Sequence, residues 1–89
     1  MRAIVTVVGK DRVGIIANVC SLLAENGVNI LDISQTILQE FFTMMMLVDT
    51  AGYSAPFSEL SKSLERRGDE IGLSIRIQRE DIFEAMHRI

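Results

Sequence analysis

Val8-Gly9-Lys10-Asp11-Arg12-Val13-Gly14-Ile15 is a glycine-bracketed polar turn that joins a segment of strand-like composition to one with helical spacing. Residues 3–8 are rich in β-branched side chains and are stopped by Gly9, which predicts a short buried strand. A helix that starts near Val13 leaves its first backbone amides without partners inside the helix and places partial positive charge there. The turn is therefore a candidate site for a carboxylate or a phosphate.

Apolar residues at spacings of three and four predict a first helix over residues 14–26, which ends at Gly27. Residues 28–38 and 41–48 have strand-like composition and predict a hairpin. Because its turn, Gln39-Glu40, lacks the glycine of tight hairpins, the geometry of that turn stays open.

A second helix is predicted from Ser54 and Pro56, which suit a helix start, to near Gly72. After it, apolar and polar residues alternate with the period of a strand that has one dry face. The apolar members of this strand are Leu73, Ile75 and Ile77.

The resulting order, βαββαβ, consists of two split βαβ halves. It predicts an α+β, ferredoxin-like fold with a four-stranded antiparallel sheet and both helices on one face. We assign this domain to residues 1–80 and predict a short amphipathic C-terminal helix over residues 81–89. In that tail, Asp81 and Glu84 have the spacing of a capping box.

Apolar residues point to both faces of the third strand. Phe42, Met44 and Met46 share one face, while Met45 and Leu47 share the other. One face meets the helices, and the other needs a cover because large exposed apolar patches are uncommon on soluble monomers. We expect the tail helix, a second subunit or a swapped tail to supply it. The residues predicted at this dimer or tail interface are Phe42, Met44, Met46, Ile82, Phe83, Met86 and Ile89.

The charge and composition exclude several classes of partner. The net charge is -3, so there is no general basic field to attract nucleic acid or an anionic membrane. No apolar run approaches the roughly 20 residues that span a bilayer. Cys20 has no second cysteine to pair with, and no signal peptide follows Met1. We therefore expect a cytoplasmic protein.

The chain resembles the ACT domain family over residues 1 to about 80. The resemblance rests on Val5-Thr6-Val7-Val8-Gly9-Lys10-Asp11-Arg12-Val13-Gly14-Ile15-Ile16, on Asn26-Gly27-Val28-Asn29-Ile30, and on the hairpin with Phe42-Thr43-Met44. With its tail, the chain is similar to small standalone bacterial ACT proteins. The resemblance implies a homodimer that binds an amino acid or related metabolite near the subunit interface and signals to another protein, since no catalytic or DNA-binding domain is attached.

The resemblance also implies roles for the turn and for the start of the second strand. Asp11 would meet an ammonium group and the amides of residues 13–15 a carboxylate, while Asn29 would offer both a donor and an acceptor. The ligand-binding residues implied in this way are Asp11, Arg12, Val13, Gly14, Ile15, Asn29 and Ile30.

Each of these residues also has a purely structural interpretation. The glycines allow tight packing, Asp11 caps the helix, and Asn29 stabilises the turn before the strand. Arg12 either clamps a carboxylate or faces solvent.

We identify no catalytic residue, metal site or cofactor. Cys20 lies in an apolar helical stripe, and the Met44-Met45-Met46 triplet alternates between faces. His87 has no partner carboxylate placed by the sequence. No nucleophile-base pair or ligand cluster is evident, which argues against an enzyme. The competing function is a protein-interaction or dimerisation module without a physiological small ligand, in which the open sheet face and the tail bind an unidentified protein.

Overall fold

The computed structural model describes residues 1–10 and 13–87, with side chains as far as residue 85. Its strands and helices follow the predicted order. They are β1 (Arg2–Lys10), α1 (Ile15–Glu25), β2 (Asn29–Leu38), β3 (Phe41–Asp49), α2 (Phe57–Glu70), β4 (Ser74–Arg79) and α3 (Glu80–His87).

The four strands form one antiparallel sheet in the order β2-β3-β1-β4. The two central strands are therefore β1 and β3, and β2 and β4 form the edges. This arrangement confirms the predicted ferredoxin-like fold, because each half contributes one central strand and one edge strand.

The core lies between one face of the sheet and the helices α1 and α2. The sheet contributes alternate residues of its strands, such as Val5 and Val7 of β1, and the helices contribute Val19, Leu60 and Leu64. Strict alternation along β1, β3 and β4 gives each of these strands one dry face, as the period of two requires.

The prediction that Phe42, Met44 and Met46 form a dimer or tail interface is wrong. Their side chains are 2%, 0% and 1% exposed, because they point toward α1 and α2 and belong to the core. Sequence alternation separated the two faces of β3 correctly and did not indicate which face the helices cover. The open face instead carries Phe41, which is about half exposed, and Met45, which is 37% exposed.

Two predicted helix caps also differ from the structure. The N-cap of α2 is Pro56, and no side chain caps this helix, so Ser54 does not have the predicted role. Helix α3 begins at Glu80, one residue before the predicted cap. Asp81 therefore lies in the first turn, where its carboxylate accepts a hydrogen bond from the Ile82 amide and pairs with Arg79.

The β2–β3 hairpin closes through Gln39, whose φ of 54° is left-handed. This is the conformation that Asn or Gly adopts more readily, so the turn forms without a favourable turn residue. Pairing with β3 sets the register of β2, which shifts at a β-bulge between Ile30 and Asp32.

Helix α3 contacts β1 and β4 at the edge of the sheet opposite β2. The Arg2 guanidinium lies 3.1 Å from the Glu80 carboxylate and joins the beginning of β1 to α3. Ile82 remains 45% exposed and Phe83 is half-buried. The side chain of Met86 and the whole of Ile89, also predicted at the tail interface, lie outside the described residues.

No described helix is long and apolar enough to cross a membrane.

Candidate functional site

In the turn between β1 and α1, the backbone near Gly14 is accessible to a ligand. This residue is the N-cap of α1 and has a φ of 89°, a left-handed conformation that favours glycine. Because the cap residue has no side chain, no side-chain cap hydrogen bond is made there. The first turn of α1 therefore offers backbone amides and the positive end of the helix dipole to an anion.

The residues on either side of Gly14 divide between solvent and core. Val13 is fully exposed, while Ile15 is buried among the core residues. Ile15 can therefore contribute its backbone amide to a ligand, but its side chain anchors the helix. Asp11 and Arg12, the two predicted charged ligands of this turn, lie outside the described residues.

Close packing against the second half of the fold fixes the strand that leads into this turn. A methyl group at Gly9 would overlap the Cδ2 atom of Leu73, a buried residue between α2 and β4. A side chain at position 9 would therefore force the Leu73 side chain to shift, and Gly9 packs closely against the neighbouring turn beneath the candidate site.

The second predicted part of the site is the start of β2. Asn29 is exposed and pairs with Asp49 of β3, and Ile30 is half-buried against the core opposite Val48. Just before them, the amide of Val28 donates to the Leu23 carbonyl at 3.0 Å and closes the end of α1. Asn29 thus starts the strand from a fixed turn.

Asp49 adds a negative charge beside Asn29. Its carboxylate accepts a hydrogen bond from the Ala51 amide at 2.9 Å, which lowers the pKa of this carboxyl. The Met1 ammonium group, 3.4 Å away, lowers that pKa further. No pattern in the sequence marks Asp49 as a site residue, because only the pairing of two strand ends brings it next to Asn29.

The two predicted parts of the site lie at opposite ends of the sheet in one chain. The strand pairings place Asn29 of β2 beside Asp49 of β3, which in turn pairs with Arg2 at the beginning of β1. The β1–α1 turn follows Lys10, at the other end of β1. The eight residue steps of β1 correspond to about 26 Å at about 3.3 Å per residue. A single amino acid cannot touch both parts of the same chain.

The edge strand β2 is long and exposes four large hydrophobic residues, Leu31, Ile33, Ile37 and Leu38. Every residue from position 31 to 38 is exposed, and the strand contains neither proline nor lysine. Asp32 and a β-bulge between Ile30 and Asp32 interrupt its beginning, so the segment free of both, residues 33–38, is the part of this edge prone to pair with another chain. This edge position was not predicted from the sequence, although the order of a split βαβ unit places the second strand there.

The described residues contain no group of three or more His, Cys, Asp or Glu side chains that could hold a metal ion. Cys20 is a half-buried free thiol on α1.

Comparison with known proteins adds a family match. Residues 2–78 match the family described as the ACT domain. A UPF0237 protein of Clostridium acetobutylicum is 54% identical to this chain over 89 residues, which is all of both chains.

Solved structures agree with this match. An ACT domain protein from Streptococcus pneumoniae superposes with a TM-score of 0.84 and 48% sequence identity, covering 98% of each chain. The ligand-free regulatory subunit of aspartate kinase from Thermus thermophilus superposes with a TM-score of 0.66 and 26% identity, over 86% of this chain and 50% of that one.

Proposed function

The chain belongs to the ACT domain family, and we propose that it is a cytoplasmic regulatory module rather than an enzyme. In this proposal it binds an amino acid or a related metabolite as a homodimer and signals to another protein. Each ligand site combines the β1–α1 turn of one subunit with Asn29 of the partner subunit.

The observation that carries this proposal is the position of the two parts of the site within one chain. The β1–α1 turn and Asn29, here called the two half-sites, lie at opposite ends of the sheet. Two copies of β2 that pair edge to edge and antiparallel run in opposite directions. This pairing brings the Asn29 end of one sheet next to the β1–α1 end of the other. A two-fold dimer then has two equivalent sites, as closed symmetry requires.

The exposed side chains of β2 support one register for this pairing. With the two-fold axis at Gln35, Ile33 lies opposite Ile37 of the partner subunit. Both residues are exposed in the single chain and lie on the helix side of the sheet, in register with core residues of β3. Pairing them buries apolar surface from both subunits.

The half-sites offer complementary groups to an amino acid. In this proposal the amides at the start of α1 and Arg12 bind the carboxylate, and Asp11 meets the ammonium group. Asn29 of the partner subunit supplies a donor and an acceptor, and Ile30 forms an apolar wall. The similarity to the regulatory subunit of aspartate kinase, a protein of the same fold, supports a regulatory role.

A thermal-shift experiment with the twenty proteinogenic amino acids tests the proposed function, because a ligand that binds only the native state raises the melting temperature. We expect at least one amino acid to raise it. The shift should disappear in Asp11→Ala and Asn29→Ala and persist in Ser58→Ala, a control on the exposed surface of α2. A wild-type protein that responds to none of the twenty would contradict the proposal of an amino-acid ligand.

The open sheet face favours a second candidate function, a protein-interaction module without a small ligand. Val8, Phe41 and Met45 are exposed there, and Ile82 of α3 is exposed as well. On this alternative, α3 and the residues that follow it form an interface with a second subunit or another protein. Deletion of residues 81–89 should then weaken the dimer, whereas an unchanged dimer and unchanged stability would count against this function.

A further inference from the structure

We propose that Gly52, in the loop between β3 and α2, is a positioning residue for Asn29. This inference rests on the proposed function, because it assigns to Gly52 the task of fixing one half of the ligand site. Gly52 itself touches no ligand. It acts through the backbone of Gly27.

Gly27 and Gly52 meet backbone to backbone. A Cβ atom placed on Gly27 would lie 2.8 Å from the carbonyl oxygen of Gly52, and a Cβ atom placed on Gly52 would overlap the carbonyl oxygen of Gly27. Real Cβ atoms do not make such contacts, so two glycines are needed for these loops to approach this closely.

The turn on the Gly27 side has little room to move. Gly27 has a φ of 70°, and its amide donates to the Ala24 carbonyl at 3.0 Å. The side-chain amide of Asn26 donates to the Leu22 carbonyl at 2.8 Å. Asn29 follows only two residues after Gly27, so a displaced turn displaces the start of β2 with it.

The loop on the Gly52 side is also anchored. The amide and the hydroxyl of Thr50 both donate to the Met1 carbonyl, at 2.8 and 3.0 Å. The amide of Tyr53 donates to the Thr50 carbonyl at 3.0 Å. Gly52 therefore presents a fixed surface against which the turn before Asn29 packs.

The substitution Gly52→Ala isolates this contact. Gly52 does not have a positive φ, so alanine fits its backbone conformation and the added methyl group acts only through its collision with Gly27. Ile75→Val is the matched control. It removes a methyl group from the core on β4, at the opposite edge of the sheet from β2, and touches neither loop.

The first measurement is a backbone NMR comparison of the free proteins. We expect Gly52→Ala to shift the amide resonances of Gly27, Val28 and Asn29 and the side-chain amide of Asn29, whereas Ile75→Val leaves them in place. Should Gly52→Ala fail to fold, Thr50→Val carries the test. It removes the hydroxyl bond to Met1, adds no bulk at the contact, and is expected to shift the same resonances by a smaller amount.

The second measurement is binding of an equimolar mixture of the twenty proteinogenic amino acids, followed by thermal shift. We expect the half-saturating concentration of the mixture to rise about tenfold in Gly52→Ala and to stay unchanged in Ile75→Val. The reason is that a displaced Asn29 side chain makes weaker hydrogen bonds to the bound amino acid.

Unmoved Asn29 resonances, or wild-type binding by a folded variant with a displaced turn, would overturn the inference alone. A wild-type protein that binds no component of the mixture overturns the inference together with the proposed function. The NMR comparison then still shows whether the contact positions the turn.

Discussion

Gly14 and Asn29 flank opposite ends of helix α1: Gly14 caps its beginning, and Asn29 starts the strand that follows its last turn. One chain therefore holds two half-sites that it cannot combine by itself. We propose that a second copy of the chain pairs with the exposed edge of β2. This pairing would bring the β1–α1 turn of one subunit close to Asn29 of the other.

Substitutions at Gly14 should lower the free energy of unfolding by the cost of placing the new residue in a left-handed backbone conformation. Outside glycine, this conformation costs about 1–2 kcal/mol, and asparagine tolerates it better than other residues. We expect the free energy of unfolding to fall in the order glycine, asparagine, alanine, valine at position 14. Urea denaturation of Gly14→Asn, Gly14→Ala and Gly14→Val measures this order. Equal stability of the alanine and asparagine variants would show that the backbone at Gly14 relaxes.

The two faces of β3 should respond differently to truncation. Met44 is fully buried and Met45 is 37% exposed on the open face. Met44→Ala removes a core side chain and should cost about 2–5 kcal/mol of unfolding free energy. Met45→Ala should cost much less in the same urea titration, unless the open face is covered in the dimer. Comparable losses at dilutions where the protein is monomeric would contradict the assignment of the faces.

A charge on the free edge of β2 should separate the subunits. Ile37 is 55% exposed in the single chain, so Ile37→Lys leaves the fold intact but places an ammonium group in the proposed interface. We expect sedimentation velocity to show a dimer for the wild type and a folded monomer for this variant. Ser58→Lys, on the exposed side of α2, is the charge-matched control and should remain a dimer. A dimeric Ile37→Lys variant would contradict an interface at β2.

Asp49 should make stability depend on pH at the acidic end. The Ala51 amide lowers the pKa of its carboxyl in the folded state, so the folded pKa lies below the unfolded value of about 3.9. The stabilisation is present above the unfolded pKa and is lost as the pH falls through the folded pKa. We expect the difference in melting temperature between wild type and Asp49→Asn to be largest near neutral pH and to vanish in strong acid. An NMR titration of the carboxyl gives the folded pKa directly, and a value at or above 3.9 would contradict the assignment.

Most of the fold could be predicted from the sequence because its signals are local. The strand-like composition of β1, β2 and β3, the alternation of apolar and polar residues along β4, and the helical spacing of α1 and α2 place these elements within a few residues. The caps of α2 and α3 were not predicted: Pro56 rather than Ser54 is the N-cap of α2, and α3 begins at Glu80, before Asp81.

The non-local features could not be predicted. Alternation separates Met44 from Met45 but is symmetrical, so only the packed structure shows which face meets the helices. The contact between Gly27 and Gly52 joins loops that are distant in the sequence, and no pattern in either loop indicates the other. The distance between the β1–α1 turn and Asn29 likewise depends on the register of the sheet.

Subunit complementation tests whether each ligand site is shared between two subunits. The variants Asp11→Ala and Asn29→Ala each lose one half of every site as homodimers. In a heterodimer of the two, one site has both substitutions and the other has an intact turn and an intact Asn29. Random exchange makes about half of the dimers heterodimers, so a one-to-one mixture should recover about one quarter of the wild-type binding capacity for an amino acid that the wild type binds.

Equilibrium dialysis of that amino acid against the exchanged mixture, with each variant alone as the control, measures this capacity. Recovery to about one quarter, with wild-type affinity at the restored sites, is the predicted result. No recovery after verified subunit exchange would contradict a site shared between two subunits.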